Sequence, residues 1–63
     1  MMKAVATIQF KELGASDEGV VIIRNDEQSV AICLSVRKNG DLEVVMSKAD
    51  AKAVLEALET ALR

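Results

Sequence analysis

One cysteine and several carboxylates are the residues of this chain that could do chemistry, since the sequence contains no histidine, tryptophan or tyrosine. A cysteine nucleophile needs a base or a cationic neighbour that favours the thiolate. Cys33 stands in the middle of an alternating run, between Ala31 and Ser35, and no histidine is present to activate it. We interpret Cys33 as a small packing residue, and we predict no catalytic residues and no enzymatic activity.

The acids between positions 12 and 27 are oxygen donors of the kind that Ca²⁺ and Mg²⁺ prefer. They are Glu12, Asp17, Glu18, Asp26 and Glu27. The pairs 17–18 and 26–27 flank a predicted strand, which separates them by roughly 16 Å at about 3.3 Å per residue. A metal–oxygen contact is about 2.0–2.6 Å, so the two pairs cannot share one ion. We therefore predict solvated loop charges, no metal site and no cofactor.

The segment from Gly14 to Gly19 has the spacing of the first two glycines of a phosphate-binding P-loop. That motif continues with Lys and Ser or Thr and opens a helix. Val20 and Val21 stand at those two positions, and they begin a β-branched run that is typical of a strand. No phosphate site is predicted.

Apolar runs and alternation predict four strands. Residues 4–10 alternate, with Ala4, Ala6, Ile8 and Phe10 on one side and Val5, Thr7 and Gln9 on the other. Residues 20–23 are all β-branched, and residues 30–37 alternate again before a fourth strand that runs to Met46. The polar segments 13–19 and 25–29 are predicted loops.

Asn39 and Gly40 mark the turn between the third and fourth strands. A two-residue loop would pair Arg37 with Leu42 and would mix charged with apolar residues on one face. A three-residue loop over 38–40, with Gly40 left-handed, avoids this conflict. It predicts the pairs Val36–Leu42, Leu34–Val44, Ile32–Met46 and Cys33–Val45.

The period changes to helical after Ser47, which is a predicted N-cap with Asp50 three residues on. An apolar stripe follows, formed by Ala51, Val54, Leu55, Leu58 and Leu62. The predicted fold is a single α+β domain over residues 1–63. It consists of a four-stranded antiparallel meander followed by one C-terminal helix packed on one face.

One helix covers about one face of such a sheet, so the second face should be polar if it meets water. The third and fourth strands instead give that face small and apolar residues, namely Ala31, Cys33, Ser35 and Val45. The first two strands add Val5, Thr7 and either Val20 and Ile22 or Val21 and Ile23. We interpret this face as a self-association surface. The alternative is a scatter of surface apolar residues, which is common in monomers.

A second candidate surface lies on the helix, where small residues recur every four positions at Ala49, Ala53, Ala57 and Ala61. Such a ridge lets another helix approach closely. The alternative is that alanine is present for its helix propensity alone. The sequence does not choose between the sheet face and this alanine ridge.

The energetics of so short a chain also favour association. Surface scaling predicts that about 4,000 Å² of the chain stays exposed in the folded state. Burial of the apolar part of the surface that folding removes from water stabilises the fold by about 89 kcal/mol. Ordering the chain costs about 95 kcal/mol. Because these two amounts nearly cancel and one cysteine forms no intrachain disulfide, we expect a homodimer or higher oligomer.

Single-stranded nucleic-acid binding is the alternative function. The order of four strands and one helix resembles the fold of the transcriptional positive-cofactor-four and Whirly group, whose small members dimerise and bind single-stranded DNA. Such binders use a basic groove and aromatic platforms. Here the net charge is −2, and Phe10 is the only aromatic residue.

The leading prediction is a small non-enzymatic homodimer of 63 residues that acts through protein–protein contact as an accessory or structural component. The longest apolar-rich run is far below the roughly 20 residues that span a bilayer, so we predict no membrane contact. No targeting segment is predicted, because polar residues at 9, 11 and 12 interrupt the first apolar stretch. The free cysteine indicates a reducing, cytoplasmic location.

Overall fold

The computed structural model describes residues 1–14 and 17–63. The chain forms four strands and one helix: β1 (Lys3–Lys11), β2 (Glu18–Asn25), β3 (Ser29–Val36), β4 (Gly40–Ser47) and α1 (Lys48–Ala61). The strands make one antiparallel sheet in the order β1-β2-β3-β4. The predicted meander followed by a C-terminal helix is therefore confirmed.

β1 and β2 contain an irregularity that the alternation of β1 does not reveal. Ala4 pairs with Arg24 and Ala6 pairs with Ile23, so Val5 occupies a bulge. A bulge moves the residues before it to the opposite face. The prediction that Ala4 shares a face with Ala6, Ile8 and Phe10 is consequently wrong.

At the other end of the β1–β2 pair, an aromatic ring packs over a glycine. Phe10 is the cross-strand partner of Gly19, which is buried. A Cβ on Gly19 would collide with the Phe10 ring, so the glycine makes room for it. This packing explains why a strand rich in β-branched residues has glycine at its second position.

The β2–β3 turn is built on Asp26. One oxygen of its carboxylate accepts hydrogen bonds from the backbone N–H of Gln28 (2.9 Å), the backbone N–H of Ser29 (2.8 Å) and the Ser29 hydroxyl (2.8 Å). The Asp26 N–H donates to the Ser29 carbonyl at 3.1 Å. In tight turns an Asp carboxylate commonly accepts hydrogen bonds from backbone N–H groups two or three residues further along the chain. The bonds from Gln28 and Ser29 lower the pKa of Asp26 from its ordinary value of 3.8.

This lowered pKa predicts a pH-dependent part of the stability. A carboxylate whose folded-state pKa is depressed stabilises the fold above its unfolded value, and this contribution is lost as pH falls through the folded value. The free energy of unfolding should therefore fall below about pH 4 more steeply in the wild type than in Asp26→Asn. Urea denaturation of both proteins over a pH series measures the difference. Identical pH dependence would contradict a charged Asp26 in the turn.

The β3–β4 register differs from the prediction by two residues. Val36 pairs with Gly40, Leu34 with Leu42 and Ile32 with Val44, so the predicted pairs from Val36–Leu42 onward are wrong. A two-residue slip keeps every side chain on its face, so matching apolar with apolar residues cannot detect it. In the observed register the Ser35 hydroxyl donates to the carboxylate of its partner Asp41.

Gly40 nevertheless has the predicted left-handed backbone, with φ of +81°. The Asn39 N–H donates to the Val36 carbonyl at 3.1 Å, which closes a β-turn over residues 36–39 just before it. The turn is tied to the β1–β2 connection by Asp17, a buried carboxylate that accepts from the Lys38 N–H at 3.1 Å.

Ser47 is both the last residue of β4 and the N-cap of α1. Its backbone is extended, with φ of −66° and ψ of 160°, and its hydroxyl accepts from the Asp50 N–H at 3.1 Å. The predicted N-cap is thus confirmed, since this is the geometry by which Ser satisfies a free helix N–H. No linker residue separates the strand from the helix.

The helix contacts less of the sheet than it would if it lay across one face. α1 reaches only β3 and β4, and Ala51 is the only helix residue that is even partly buried. The molecule measures 36 × 31 × 16 Å, and its radius of gyration is 12.7 Å. A compact chain of this length has a radius of gyration of about 10.6 Å. The chain is therefore a thin sheet with a projecting helix.

Candidate functional site

The register divides the sheet into two faces of different chemistry. Paired residues share a face, and residues alternate along each strand. One side, called the apolar face here, carries Ala6, Ile8, Phe10, Val21, Ile23, Val30, Ile32, Leu34, Val36, Leu42, Val44 and Met46. Its only charged residue is Lys3, at the start of β1. Such a face belongs in a protein interior.

The apolar face is incompletely covered in the single chain, where eight of its twelve residues are partly buried and four are exposed. Ile8 is 53% exposed, Leu42 60% and Val44 44%, and Leu34 is also exposed. Sequence reasoning placed these residues in a core beneath the helix, so it did not identify them as a surface. The sequence signal that could have identified them is the absence of loop residues between the fourth strand and the helix. Ser47 is followed at once by Lys48, so the chain has no loop in which to reverse its direction.

The opposite side, called the mixed face, has charged and polar residues around an apolar centre. Its charged residues are Lys11, Glu18, Arg24, Asp41 and Glu43. Arg24 on β2 and Glu43 on β4 form an ion pair of 3.7 Å that spans β3 diagonally. Both side chains are nearly half exposed, so the pair itself adds little stability. It lies beside Ala31, the only buried apolar side chain among the described residues.

All four residues of the predicted self-association surface lie on the mixed face. Ala31 pairs with Val45, whereas Cys33 pairs with Glu43 and Ser35 with Asp41. The prediction that Val45 lies directly opposite Cys33 is therefore wrong by the same two-residue slip. Two of the four residues thus have an acidic cross-strand partner. The helix, which was expected to cover the other face, contacts only β3 and β4.

The helix presents two uncovered apolar surfaces. At about 100° per residue, four of its five charged residues fall within a sector of about 80°. These four are Lys48, Lys52, Glu56 and Glu59. The alanine ridge and the apolar stripe occupy most of the rest, and every residue of the ridge is exposed. In the stripe, Val54 is 40% exposed, Leu55 55%, Leu58 56% and Leu62 84%.

The chemistry-bearing residues are not brought together. Cys33 lies in mid-strand between Ile22 and Glu43, partly buried. Asp17 and Asp26 lie at opposite ends of β2. Within residues 1–14 and 17–63, no three Cys, Asp or Glu side chains are grouped so that they could hold a metal ion. In the P-loop-like segment, residues 15 and 16 lie outside the described residues, and Val20 and Val21 continue β2.

The amount of uncovered surface is large for the size of the chain. The single chain exposes 5192 Å², whereas a compact monomer of 6.8 kDa exposes about 4,000 Å². The surplus is about 1,200 Å² for one chain. Two such surpluses amount to about 2,400 Å², within the range that obligate homodimers bury.

Among the described residues, α1 is the only helix, and it is too short and too polar to cross a membrane. The chain matches no protein-family model, and it shows no significant similarity to any curated protein or to any solved structure.

Proposed function

We propose that this chain is a small non-enzymatic homodimeric module that acts through protein–protein contact, as an accessory or structural component. The observation that carries the proposal is the surplus of about 1,200 Å² of surface per subunit, most visible on the apolar face and the helix stripe. Surfaces of this character are stable in water when another chain covers them. A single free cysteine fits a cytoplasmic location.

The arrangement of reactive groups supports a binding role over catalysis. Nucleophile activation needs a base within hydrogen-bonding reach, and acid–base chemistry needs groups gathered in a concave site. Cys33 lies on an open sheet surface, and its one acidic cross-strand neighbour, Glu43, is paired with Arg24 at 3.7 Å. The carboxylates Asp17 and Asp26 are separated by the length of β2. The most extensive set of side chains that the described residues gather on one surface is the apolar face.

Single-stranded nucleic-acid binding remains the alternative, supported by the element order. The charges of the mixed face favour it less. Within its strands that face carries two basic residues, Lys11 and Arg24, against three acidic ones. Arg37, just beyond β3, lines the same cavity as Lys11 and Glu18 and makes the two signs equal in number. Phe10, the only aromatic residue, packs over Gly19. A nucleic-acid platform would need exposed aromatic rings and an excess of positive charge.

Sedimentation equilibrium over micromolar concentrations tests the proposal. We expect a mass of at least about 13.6 kDa, twice the 6.8 kDa of one chain. A mass of 6.8 kDa throughout that range would contradict it. A labelled single-stranded oligonucleotide, titrated at low and high salt, tests the alternative. Salt-dependent binding would favour the nucleic-acid function, because phosphate contacts weaken steeply as salt increases.

A further inference from the structure

The junction between β4 and α1 restricts where the helix can pack. Ser47 ends the strand and caps the helix, with its hydroxyl held 3.1 Å from the Asp50 N–H. A helix that returned across its own sheet would need a reversal of direction, which takes connecting residues. None is present. The apolar stripe of α1 accordingly stays exposed beyond the first turn, to 84% at Leu62.

The apolar face and the stripe match each other in extent. Fourteen helical residues at 1.5 Å each make a helix about 21 Å long. Four strands spaced about 4.8 Å apart make a sheet about 19 Å wide. One helix of this length can therefore cross the whole sheet. Its charged sector, next to the stripe, would remain at the edge of the contact in water.

We infer that the stripe of α1 from one copy of this chain packs on the apolar face of a second copy, and that the second copy returns the same contact. This inference rests on the proposed homodimer and specifies its arrangement. Each subunit then gives one sheet and one helix to two equivalent sheet–helix units, which closes the dimer about a two-fold axis. The arrangement covers both exposed apolar surfaces without moving the β4–α1 junction.

Complementation between two variants tests this exchange. Val44→Glu damages the apolar face, and Leu58→Glu damages the stripe. Each variant alone should associate about 100-fold more weakly or worse, because both units of its homodimer contain a buried, unpaired carboxylate. When the two variants are mixed, their heterodimer has one doubly damaged unit and one intact unit. Native mass spectrometry should detect that heterodimer well above either homodimer.

The matched control uses the same two substitutions in one chain. Val44→Glu/Leu58→Glu mixed with wild type puts one carboxylate into each unit and leaves neither intact, so few heterodimers should form. A different dimer, in which the two apolar faces stack on each other and the two helices pair, would give the same amount of heterodimer in both mixtures. Packing of each helix on its own sheet would give no rescue. Either result overturns the exchange while leaving dimerisation itself intact, whereas a monomeric wild type would contradict the proposed function.

A measurement on the wild type covers the case in which a variant fails to fold. In a mixture of ¹³C-labelled and unlabelled chains, isotope-filtered NMR reports contacts between chains only. Methyl contacts between Leu58 and Val44 are expected in that spectrum. Their absence, with the same contacts present within one chain, would overturn the exchange.

Discussion

Val44→Glu is expected to dissociate the dimer, whereas Val45→Glu, one residue further along β4, should leave it assembled. Val44 lies on the apolar face and Val45 on the mixed face, and the two are 44% and 58% exposed in the subunit. A carboxylate buried between subunits without a partner costs several kcal/mol, which is comparable with the whole stability of a small domain. On the mixed face the new charge stays in water.

Size-exclusion chromatography with light scattering reads the oligomeric state of both variants, and circular dichroism shows whether each is folded. The opposite result, with Val45→Glu and Cys33→Glu dissociating while Val44→Glu stays dimeric, would make the mixed face the interface. Dissociation by Ala53→Glu alone would identify the alanine ridge instead. The pair Val44 and Val45 is informative because the two residues have the same side chain on the same strand.

Gly40→Val should destabilise the subunit by about 1–2 kcal/mol or more, since a β-branched residue is strained at positive φ. The φ of Gly40 is +81°, and a Cβ there would have no heavy atom within 4 Å. The cost is therefore one of backbone conformation and not of collision. Chemical denaturation, followed by circular dichroism at fixed protein concentration, measures the change in unfolding free energy.

Asn39→Ala is the matched control for this turn. Its backbone N–H still donates to the Val36 carbonyl, so the β-turn over residues 36–39 keeps its closing hydrogen bond. The loss of stability should be smaller than for Gly40→Val. Equal losses at the two positions would show that the left-handed conformation of Gly40 does not determine the turn.

Most of the fold could be predicted because each element has its own local signal. Alternation identified β1 and β3, the β-branched run identified β2, and Ser47 identified the start of α1. The register of β3 on β4 could not be predicted in the same way. The requirement that apolar residues pair with apolar residues on one face repeats every two residues. Leu34–Leu42 and Leu34–Val44 therefore satisfy it equally well. The bulge at Val5 likewise leaves no mark in an alternating sequence.

The candidate surface was harder to predict than the fold. An apolar stripe on a helix and an apolar face on a sheet fit each other, and sequence patterns do not state whether they meet within one chain. The sequence-based interpretation placed them together within one chain and named Ala31, Cys33, Ser35 and Val45 as the association surface, and that surface stays a prediction. The deciding information is the direction of α1, which depends on the backbone of a single residue, Ser47.

The strand order β1-β2-β3-β4 has a consequence for the speed of folding. Every strand pairs with its neighbour in sequence, so each pairing closes a short loop, and the loop-closure entropy of each step is small. Hairpins of this kind form in about 1–10 μs, at a rate that does not depend on how many other chains are present. Docking of a helix on another molecule is second order, so its rate increases with protein concentration. At low concentration, encounter between chains would therefore limit how fast the assembled protein appears, while strand pairing within each chain stays fast.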